Sequence, residues 1–154
     1  MEKMIRAFIA LALCVNLAGC AAGTVPDTSA GVSRNDRELG GSLVQQVFDA
    51  YRGYSRDSFN GQVSSDFTPL RSEFVNAVER GFYAGNLMDL NFFLDSVSRT
   101  GNKLSVSFKW EKRMTLYTSG QFVKTEGSAV YVFSEENGAW RLYQVRGDDP
   151  LARA

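Results

Sequence analysis

The sequence contains no histidine, and its 154 residues carry 17 basic and 17 acidic side chains. Without histidine, the Ser-His and Cys-His nucleophile pairs, histidine acid-base catalysis and ordinary zinc sites are excluded. Without a surplus of positive charge, nothing favours nucleic acid, since proteins that bind it displace counterions from phosphates with Lys and Arg. We therefore expect no nucleic-acid partner, no metal ion and no cofactor.

Cysteine is nearly absent as well. The two cysteines, Cys14 and Cys20, both lie at the N-terminus, so the rest of the chain has no thiol pair to form a disulfide. The domain must be held by its hydrophobic core. A hydrophobic content of 44% and an aromatic content of 12% fit one globular domain rather than a disordered chain.

The first 20 residues have the pattern of a targeting segment. Lys3 and Arg6 precede the apolar run Ala7–Val15, which leads into Leu17-Ala18-Gly19-Cys20. This order resembles the signal of bacterial lipoproteins, in which the cysteine is acylated and the peptide before it is removed. The resemblance implies a signal peptide over residues 1–19 and a lipid anchor, of the palmitate kind, on Cys20.

An uncleaved membrane helix is the alternative, since residues 5–22 approach the ~20 apolar residues that cross a bilayer. Asn16 and the small residues at 18–23 make that span a poor one. Both interpretations place the rest of the chain outside the cytoplasm, because the basic start stays inside. Ala21 follows the cysteine where lipoproteins retained at the inner membrane tend to have aspartate, so the resemblance favours the outer membrane, facing the periplasm.

Residues 20–41 are then the lipidated cysteine and a flexible tether, rich in small and polar residues. Three helices are predicted after it. Ser42 with Gln45 forms a capping box for a helix over 42–54, and Asp57 is the expected N-cap of a short second helix running toward Val63. A third helix begins at Thr68-Pro69, ends before Gly85-Asn86 and carries an apolar stripe made of Leu70, Phe74, Val78 and Phe82.

From Asp89 the hydrophobic period changes to two, which is typical of half-buried strands. Turn residues at 100–102 and 119–120 and the Asn137-Gly138 hairpin signal divide this region into four strands. Short turns between consecutive strands predict an antiparallel meander. The fold class is therefore α+β, with three N-terminal helices packed on a curved four-stranded antiparallel meander.

This element order resembles the nuclear-transport-factor-like, or cystatin-like, cone. The resemblance covers residues 42–149 and leaves 150–154 as a C-terminal tail. Besides the element order, the matching positions are Tyr51, the segments 56–59 and 66–67, and the ending Gly138-Ala139-Trp140-Arg141-Leu142-Tyr143. The family includes isomerases, dehydratases and cyclases with a carboxylate base and a tyrosine in the cone, and modules without chemistry.

An enzyme of that kind would need a buried aspartate beside a tyrosine. By position, the candidates are Asp57, Asp66 and Asp95, beside Tyr51, Tyr54 or Tyr83. Each aspartate also has a simpler interpretation, as a helix cap or an outward-facing strand residue. We expect the other charged groups to be solvated: the pairs Glu135-Glu136 and Asp148-Asp149, and the basic residues Lys109, Lys112 and Arg113.

Two sets of apolar residues are candidates for binding. The first could line a pocket for a small apolar ligand, although the same spacing fits plain core packing; it comprises Tyr51, Phe74, Phe82, Phe108 and Trp110. The second is the predicted third strand, about 121–134, which is apolar on both faces. Either Tyr131 and Phe133 or Val130 and Val132 must point away from the helices, so one pair is expected to form an association surface.

Taken together, these features predict a lipid-anchored binding or assembly-accessory module of the cell envelope, without catalytic activity. We expect it to associate through the sheet, as a homodimer or with another envelope protein. The alternative is an enzyme of the isomerase, dehydratase or cyclase type, in which a buried carboxylate in the cone acts on a small apolar or carbonyl ligand.

Overall fold

The computed structural model describes residues 33–152, which include the cone domain. The predicted signal peptide, Cys20 and most of the predicted tether lie outside the described residues. Within residues 33–152, no helix is both long and apolar enough to cross a membrane.

Helix α1 spans Arg34–Arg52 and starts eight residues before the expected Ser42. Ser33 is its N-cap, and the Ser33 hydroxyl accepts a hydrogen bond from the Asp36 amide at 3.0 Å. The tether therefore does not extend to residue 41. Gly40 serves close packing there rather than flexibility, because a Cβ at this position would lie 3.0 Å from Val106 Cγ2.

Helix α2 covers Arg56–Gln62, and its N-cap is Ser55 rather than Asp57. Helix α3 covers Arg71–Ala84 and stops at Gly85, as predicted. Its apolar stripe is shifted from the expected one. Val75, Val78 and Phe82 are buried and Phe74 is half-buried, whereas Leu70 precedes the helix and is 48% exposed.

The sheet has five strands rather than four, and it is mixed rather than wholly antiparallel. In chain order the strands are β1 Val63–Thr68, β2 Gly85–Thr100, β3 Lys103–Leu116, β4 Phe122–Glu136 and β5 Ala139–Gly147. They lie in the order β1-β5-β4-β3-β2, and only the β1–β5 pair is parallel. Strand β1 was missed because Ser64-Ser65-Asp66 is a polar sequence on a short edge strand.

The meander β2 to β5 is confirmed. Its last turn has both Asn137 and Gly138 at positive φ, as the Asn-Gly hairpin signal requires. The free edge of β2 is covered by helix α1 and the residues that follow it, because Arg52 donates to the Leu90 carbonyl and the Leu87 amide donates to the Tyr54 hydroxyl. These contacts satisfy backbone groups that an open edge would leave for another strand.

One hydrophobic core lies between the helices and the concave face of the sheet. The inward positions of β3 alternate regularly, with Leu104, Val106 and Phe108 each at most 1% exposed. Phe48 of α1 packs edge-on against Phe108, with ring centroids 5.9 Å apart. The helices thus close the cone over the sheet.

Candidate functional site: the interior and mouth of the cone

The last described residues, 148–152, turn back into the mouth of the cone. Leu151 is fully buried and belongs to the hydrophobic core, so the domain does not end at residue 149, where the predicted C-terminal tail 150–154 was to begin. Gly81 of α3 makes room for it. A Cβ at Gly81 would lie 2.7 Å from the Leu151 carbonyl oxygen, a distance that any side chain would violate.

Asp149 holds this turn together. Its Oδ1 accepts from the Tyr131 hydroxyl at 2.7 Å and from the Leu151 amide at 3.2 Å, and its Oδ2 accepts from the Ala152 amide at 3.2 Å. Burial raises the pKa of Asp149, while these hydrogen bonds and the charge of Lys112 oppose the rise. The expectation of a solvated Asp148-Asp149 pair is therefore wrong for Asp149.

Lys112 is the second ionisable group in the interior. It is 1% exposed, and its Nζ donates to the Tyr51 hydroxyl at 3.2 Å and to the Pro150 carbonyl at 3.0 Å. Burial lowers the pKa of Lys112 to about 8, an effect that the negative charge of Asp149 partly offsets. Lys112 is therefore not part of an exposed basic face.

The sequence contained a signal for this placement. Lys112 follows Phe108 and Trp110 at intervals of two, so it continues the inward-facing register of β3. The neighbouring Lys109 and Arg113 are in the outward register, and both are exposed as predicted. Residue type suggested a surface position for Lys112, but strand alternation determines which face it occupies.

Two tyrosines complete the polar cluster, which we define as Tyr51, Lys112, Tyr131 and Asp149. Burial, reinforced by the charges of Tyr54 and Asp149, raises the pKa of Tyr51. Burial also raises the pKa of Tyr131, and the charge and hydrogen bond of Asp149 add to that shift. Both phenols therefore remain protonated at neutral pH and can act as hydrogen-bond donors.

Trp110 provides another tie to the C-terminal segment. Its indole Nε1 donates to the Asp148 carbonyl at 2.6 Å. Gly127, opposite Trp110 on β4, is needed there because a Cβ would lie 2.8 Å from the indole ring. Side chains from β3 and β4 thus bind the segment at Asp148, Asp149 and Pro150, and Leu151 fills the space behind them.

The five predicted pocket residues are brought together, but as packed core. Tyr51, Phe82, Phe108 and Trp110 are each at most 5% exposed, and Phe74 packs against the same cluster. Tyr51 and Phe82 have ring centroids 5.2 Å apart. Their side chains fill the interior, and of the five only Phe74 lines the cavity at the mouth.

That cavity has a volume of about 280 Å³. Phe67, Phe74 and Val145 form apolar parts of its wall, and Asp149 also lines it. Phe67 and Phe74 stack there with centroids 4.4 Å apart. An apolar cleft thus lies beside the half-buried carboxyl group of Asp149, a residue that the sequence alone placed in a solvated pair.

The aspartates proposed from sequence do not meet the requirement for a buried carboxylate. Asp57, Asp66 and Asp95 are all exposed. Of the tyrosines suggested beside them, Tyr54 is 43% and Tyr83 is 74% exposed. Among the described residues, no group of three or more Asp or Glu side chains could hold a metal ion.

The two faces of β4 are now assigned. Tyr131 and Phe133 point toward the helices and are at most 1% exposed, so they are unavailable for association. Val130 and Val132 form the outer pair, opposite Ser107 and Ser105 of β3. Val132 is itself only 4% exposed, which leaves Val130, half-buried, as the accessible member.

Large exposed apolar side chains cluster instead where β2 begins and the β3–β4 hairpin ends. We call Tyr83, Met88, Tyr117 and Phe122 the sheet tip; each is at least 55% exposed. Thr115 connects two of them, since it pairs with Phe122 across the ladder and its hydroxyl lies 3.6 Å from the Met88 sulfur. The Tyr117 amide donates to the carbonyl of Ala84, next to Tyr83.

By sequence, the chain matches no protein-family model and no curated protein. Solved structures do match. A nuclear transport factor 2-like superfamily protein from Salmonella enterica has a TM-score of 0.60 at 14% identity, over 75% of this chain and 92% of that chain. A ketosteroid isomerase-like protein from Erwinia carotovora atroseptica has a TM-score of 0.59 at 11% identity, over 76% and 99%.

The association domain of C. elegans CaMKII is also similar, with a TM-score of 0.55 at 14% identity over 75% of this chain and 96% of that chain. At such identities the likeness establishes the fold alone. The described domain has the nuclear transport factor 2-like fold, which confirms the predicted cone.

Proposed function

We propose that the chain is a lipid-anchored binding or assembly module of the cell envelope, tethered through an acylated Cys20. The observation that carries the binding role is the filled interior of the cone. Its polar cluster is used to hold residues 148–152, and Leu151 fills the space that a ligand of the interior would need. Binding is then assigned to the outside of the domain, where large apolar groups meet water.

The sheet tip is the proposed contact surface. Its four members combine two tyrosines, a phenylalanine and a methionine, residue types that are enriched at protein interfaces. The partner is a second copy of the chain or another envelope protein. The likeness to a protein described as an association domain supports this use of the fold.

The anchor is tested separately from the binding surface. Cys20→Ser is expected to prevent incorporation of labelled palmitate and to leave the chain in the aqueous phase or as an unprocessed precursor, while the wild type partitions into detergent. Cys14→Ser is the matched control and is expected to behave as wild type, because Cys14 lies in the segment that is removed. Equal labelling of the Cys20→Ser chain would refute the anchor.

The binding role is tested by capture from native membranes extracted in detergent. Wild type is expected to retrieve itself or one envelope protein, and the pair Tyr117→Lys with Phe122→Glu is expected to lose it. Ser119→Lys with Gln121→Glu places similar charges on the same turn without removing apolar area. A wild type that remains monomeric and retrieves nothing would refute the binding role.

A second function is favoured by one specific observation. Asp149, whose pKa is raised by burial, accepts a hydrogen bond from Tyr131 and lines the apolar cavity of about 280 Å³. A carboxyl group and a phenol beside an apolar cleft suit proton transfer on a small carbonyl ligand, as in an isomerase. The likeness to a ketosteroid isomerase-like protein supports this alternative at the level of fold.

The enzyme alternative predicts exchange of the α-protons of an apolar ketone with deuterated solvent in the presence of the protein. Asp149→Asn is expected to abolish the exchange, whereas Glu73→Gln, in the same cavity wall, is expected to preserve it. Exchange at the solvent rate with wild type would refute catalysis. That result would leave the binding role standing.

A further inference from the structure

A second cavity lies away from the cone mouth, between α2, the start of α3, β1 and β5. It has a volume of about 470 Å³, which is enough for a small metabolite, and its wall is polar and apolar in nearly equal parts. Arg71, Glu136 and Arg141 are the three charged residues that line it. Neither the cone fold nor the proposed contact surface assigns a role to this cavity.

Arg71 is fixed in place by the protein. Its Nε donates to the Ser64 carbonyl at 3.1 Å, and its Nη2 donates to the Asn60 carbonyl at 3.1 Å and to the Asn60 side chain at 3.3 Å. These bonds use one edge of the guanidinium group. Within residues 33–152 no acceptor is bound to its Nη1, so donor capacity remains on the other edge.

Glu136 is oriented in the same way. Its Oε1 accepts a hydrogen bond from the hydroxyl of Ser64, a fully buried residue, at 2.5 Å. The second carboxylate oxygen accepts from none of the side chains that the structure describes. The buried serine thus holds the carboxylate at the cavity wall with one oxygen still available.

Arg141 is the third charged group, and it is half-buried on β5. Its guanidinium forms neither an ion pair nor a hydrogen bond with any residue of the described domain. Two guanidinium groups and one carboxylate therefore line a single cavity. Both guanidinium groups have N–H donors that are not used within the described domain, and the carboxylate has one such oxygen. Guanidinium groups bind carboxylates strongly because their N–H groups match the two oxygens.

We infer that this cavity binds a small zwitterion of the amino-acid type, with its carboxylate between Arg71 and Arg141 and its ammonium group on Glu136. The formal side-chain charge of the cavity is +1, from two arginines and one glutamate, so the carboxylate contributes most of the attraction. Fixed partners reduce the entropy lost on binding, since Arg71 and Glu136 are already held by the protein.

The test is calorimetric titration of the full-length chain, purified in detergent, with free amino acids and dipeptides. Binding with a Kd in the millimolar range or tighter is expected. The N-acetylated and the C-amidated forms of the same compounds are expected to bind at least tenfold more weakly. No heat from any zwitterion at concentrations well above 1 mM would overturn the inference.

Variants locate the site. Arg141→Gln is expected to weaken binding at least tenfold, and Arg141→Lys less, because a charge remains without the planar fork. Arg146→Gln is the matched control, since Arg146 lies on the same strand but outside the cavity and contacts Gln144. Unchanged binding by a folded Arg141→Gln chain, with a wild-type melting temperature, would place the zwitterion elsewhere and overturn the site.

Glu136→Gln tests the contact with the ammonium group separately from the contact with the carboxylate. It is expected to weaken binding of free amino acids but not of their N-acetyl derivatives. If inorganic phosphate or acetate binds as tightly as an amino acid, the assignment to a zwitterion is wrong. None of these outcomes depends on acylation of Cys20 or on the sheet tip, so they leave the proposed function unaffected.

Discussion

The cone mouth holds ionisable side chains in the interior, and the sheet tip exposes apolar side chains to water. Both placements are unfavourable unless other groups compensate for them, and the two regions differ in whether the domain supplies those groups. At the mouth, Lys112 is buried and donates hydrogen bonds to Tyr51 and Pro150, and the half-buried Asp149 accepts one from Tyr131. At the tip, Tyr117 and Phe122 remain exposed, and the described part of the chain leaves them uncovered. The polar groups at the mouth are therefore paired among the described residues, whereas the tip has apolar area that those residues leave in water.

This comparison also separates stability from recognition. Buried polar groups contribute to a single well-defined conformation only when each has a hydrogen-bond partner. Removal of one partner lowers the free energy of unfolding. Exposed apolar groups contribute little to folding, because they are in water in both the folded and unfolded states. Substitutions at the mouth should therefore change the free energy of unfolding, and substitutions at the tip should not.

The largest effect is expected from Leu151→Ala. Leu151 is fully buried at the mouth, so its truncation should lower the free energy of unfolding by about 2–5 kcal/mol, as for other core leucines. Leu70→Ala is the matched control, and its 48% exposure predicts a loss below about 1 kcal/mol. Urea denaturation measures both. Equal losses would mean that the C-terminal turn is not part of the core.

A smaller effect is expected from Tyr131→Phe. This change removes the hydroxyl that donates to Asp149 and leaves a half-buried carboxylate short of one donor, at a cost of about 1–3 kcal/mol. Tyr117→Phe deletes the same atom from a side chain that is 64% exposed, so a change within about 0.5 kcal/mol is expected. Similar midpoints for the two variants would show that the mouth does not depend on this hydrogen bond.

The helices and the meander could be predicted because their signals are local. Apolar spacing of three and four residues marks α1 and α3, and the Asn137-Gly138 turn determines the β4–β5 hairpin. Strand β1 could not be predicted in this way. It has a polar sequence, and its strand conformation depends on pairing with β5, which lies about 80 residues further along the chain.

The candidate site was harder to predict, for a related reason. Lys112 and Asp149 are charged residue types that are seldom fully buried unless they are paired, and their partners are far apart in sequence. Tyr131 meets Asp149 across 18 residues, and Lys112 meets Tyr51 across 61. The strand register alone indicated that Lys112 points inward. No local sequence pattern indicated that the C-terminal turn enters the core.

The pH dependence of stability provides a weaker test of the mouth. The pKa of Lys112 is about 8 in the folded protein and about 10.4 in an unfolded chain. Between these values the unfolded state binds more protons, so stability should rise with pH by at most about 1.4 kcal/mol per unit. Above about pH 10 the trend should reverse, because Tyr51 and Tyr131 keep protons that unfolded tyrosines lose.

The measurement is urea denaturation at intervals from pH 8 to pH 9.5. Lys112→Met is the reference, since it keeps the length of the side chain and removes the titrating group. The wild type should gain stability relative to Lys112→Met as the pH rises over this range. Parallel curves would mean that the amine of Lys112 titrates as it does in the unfolded chain, contrary to its burial.

The smallest effect on folding is expected at the sheet tip, from Tyr117→Lys together with Phe122→Glu. Both side chains are more than half exposed, so the free energy of unfolding should stay within about 1 kcal/mol of wild type. Sedimentation should nevertheless change, because the substitutions place two charges in the proposed contact surface and leaving them unpaired there is unfavourable. A loss of association at unchanged stability would assign recognition to the tip. A loss of stability comparable with that of Leu151→Ala would instead mean that the tip is structural, and the difference between the two regions would disappear.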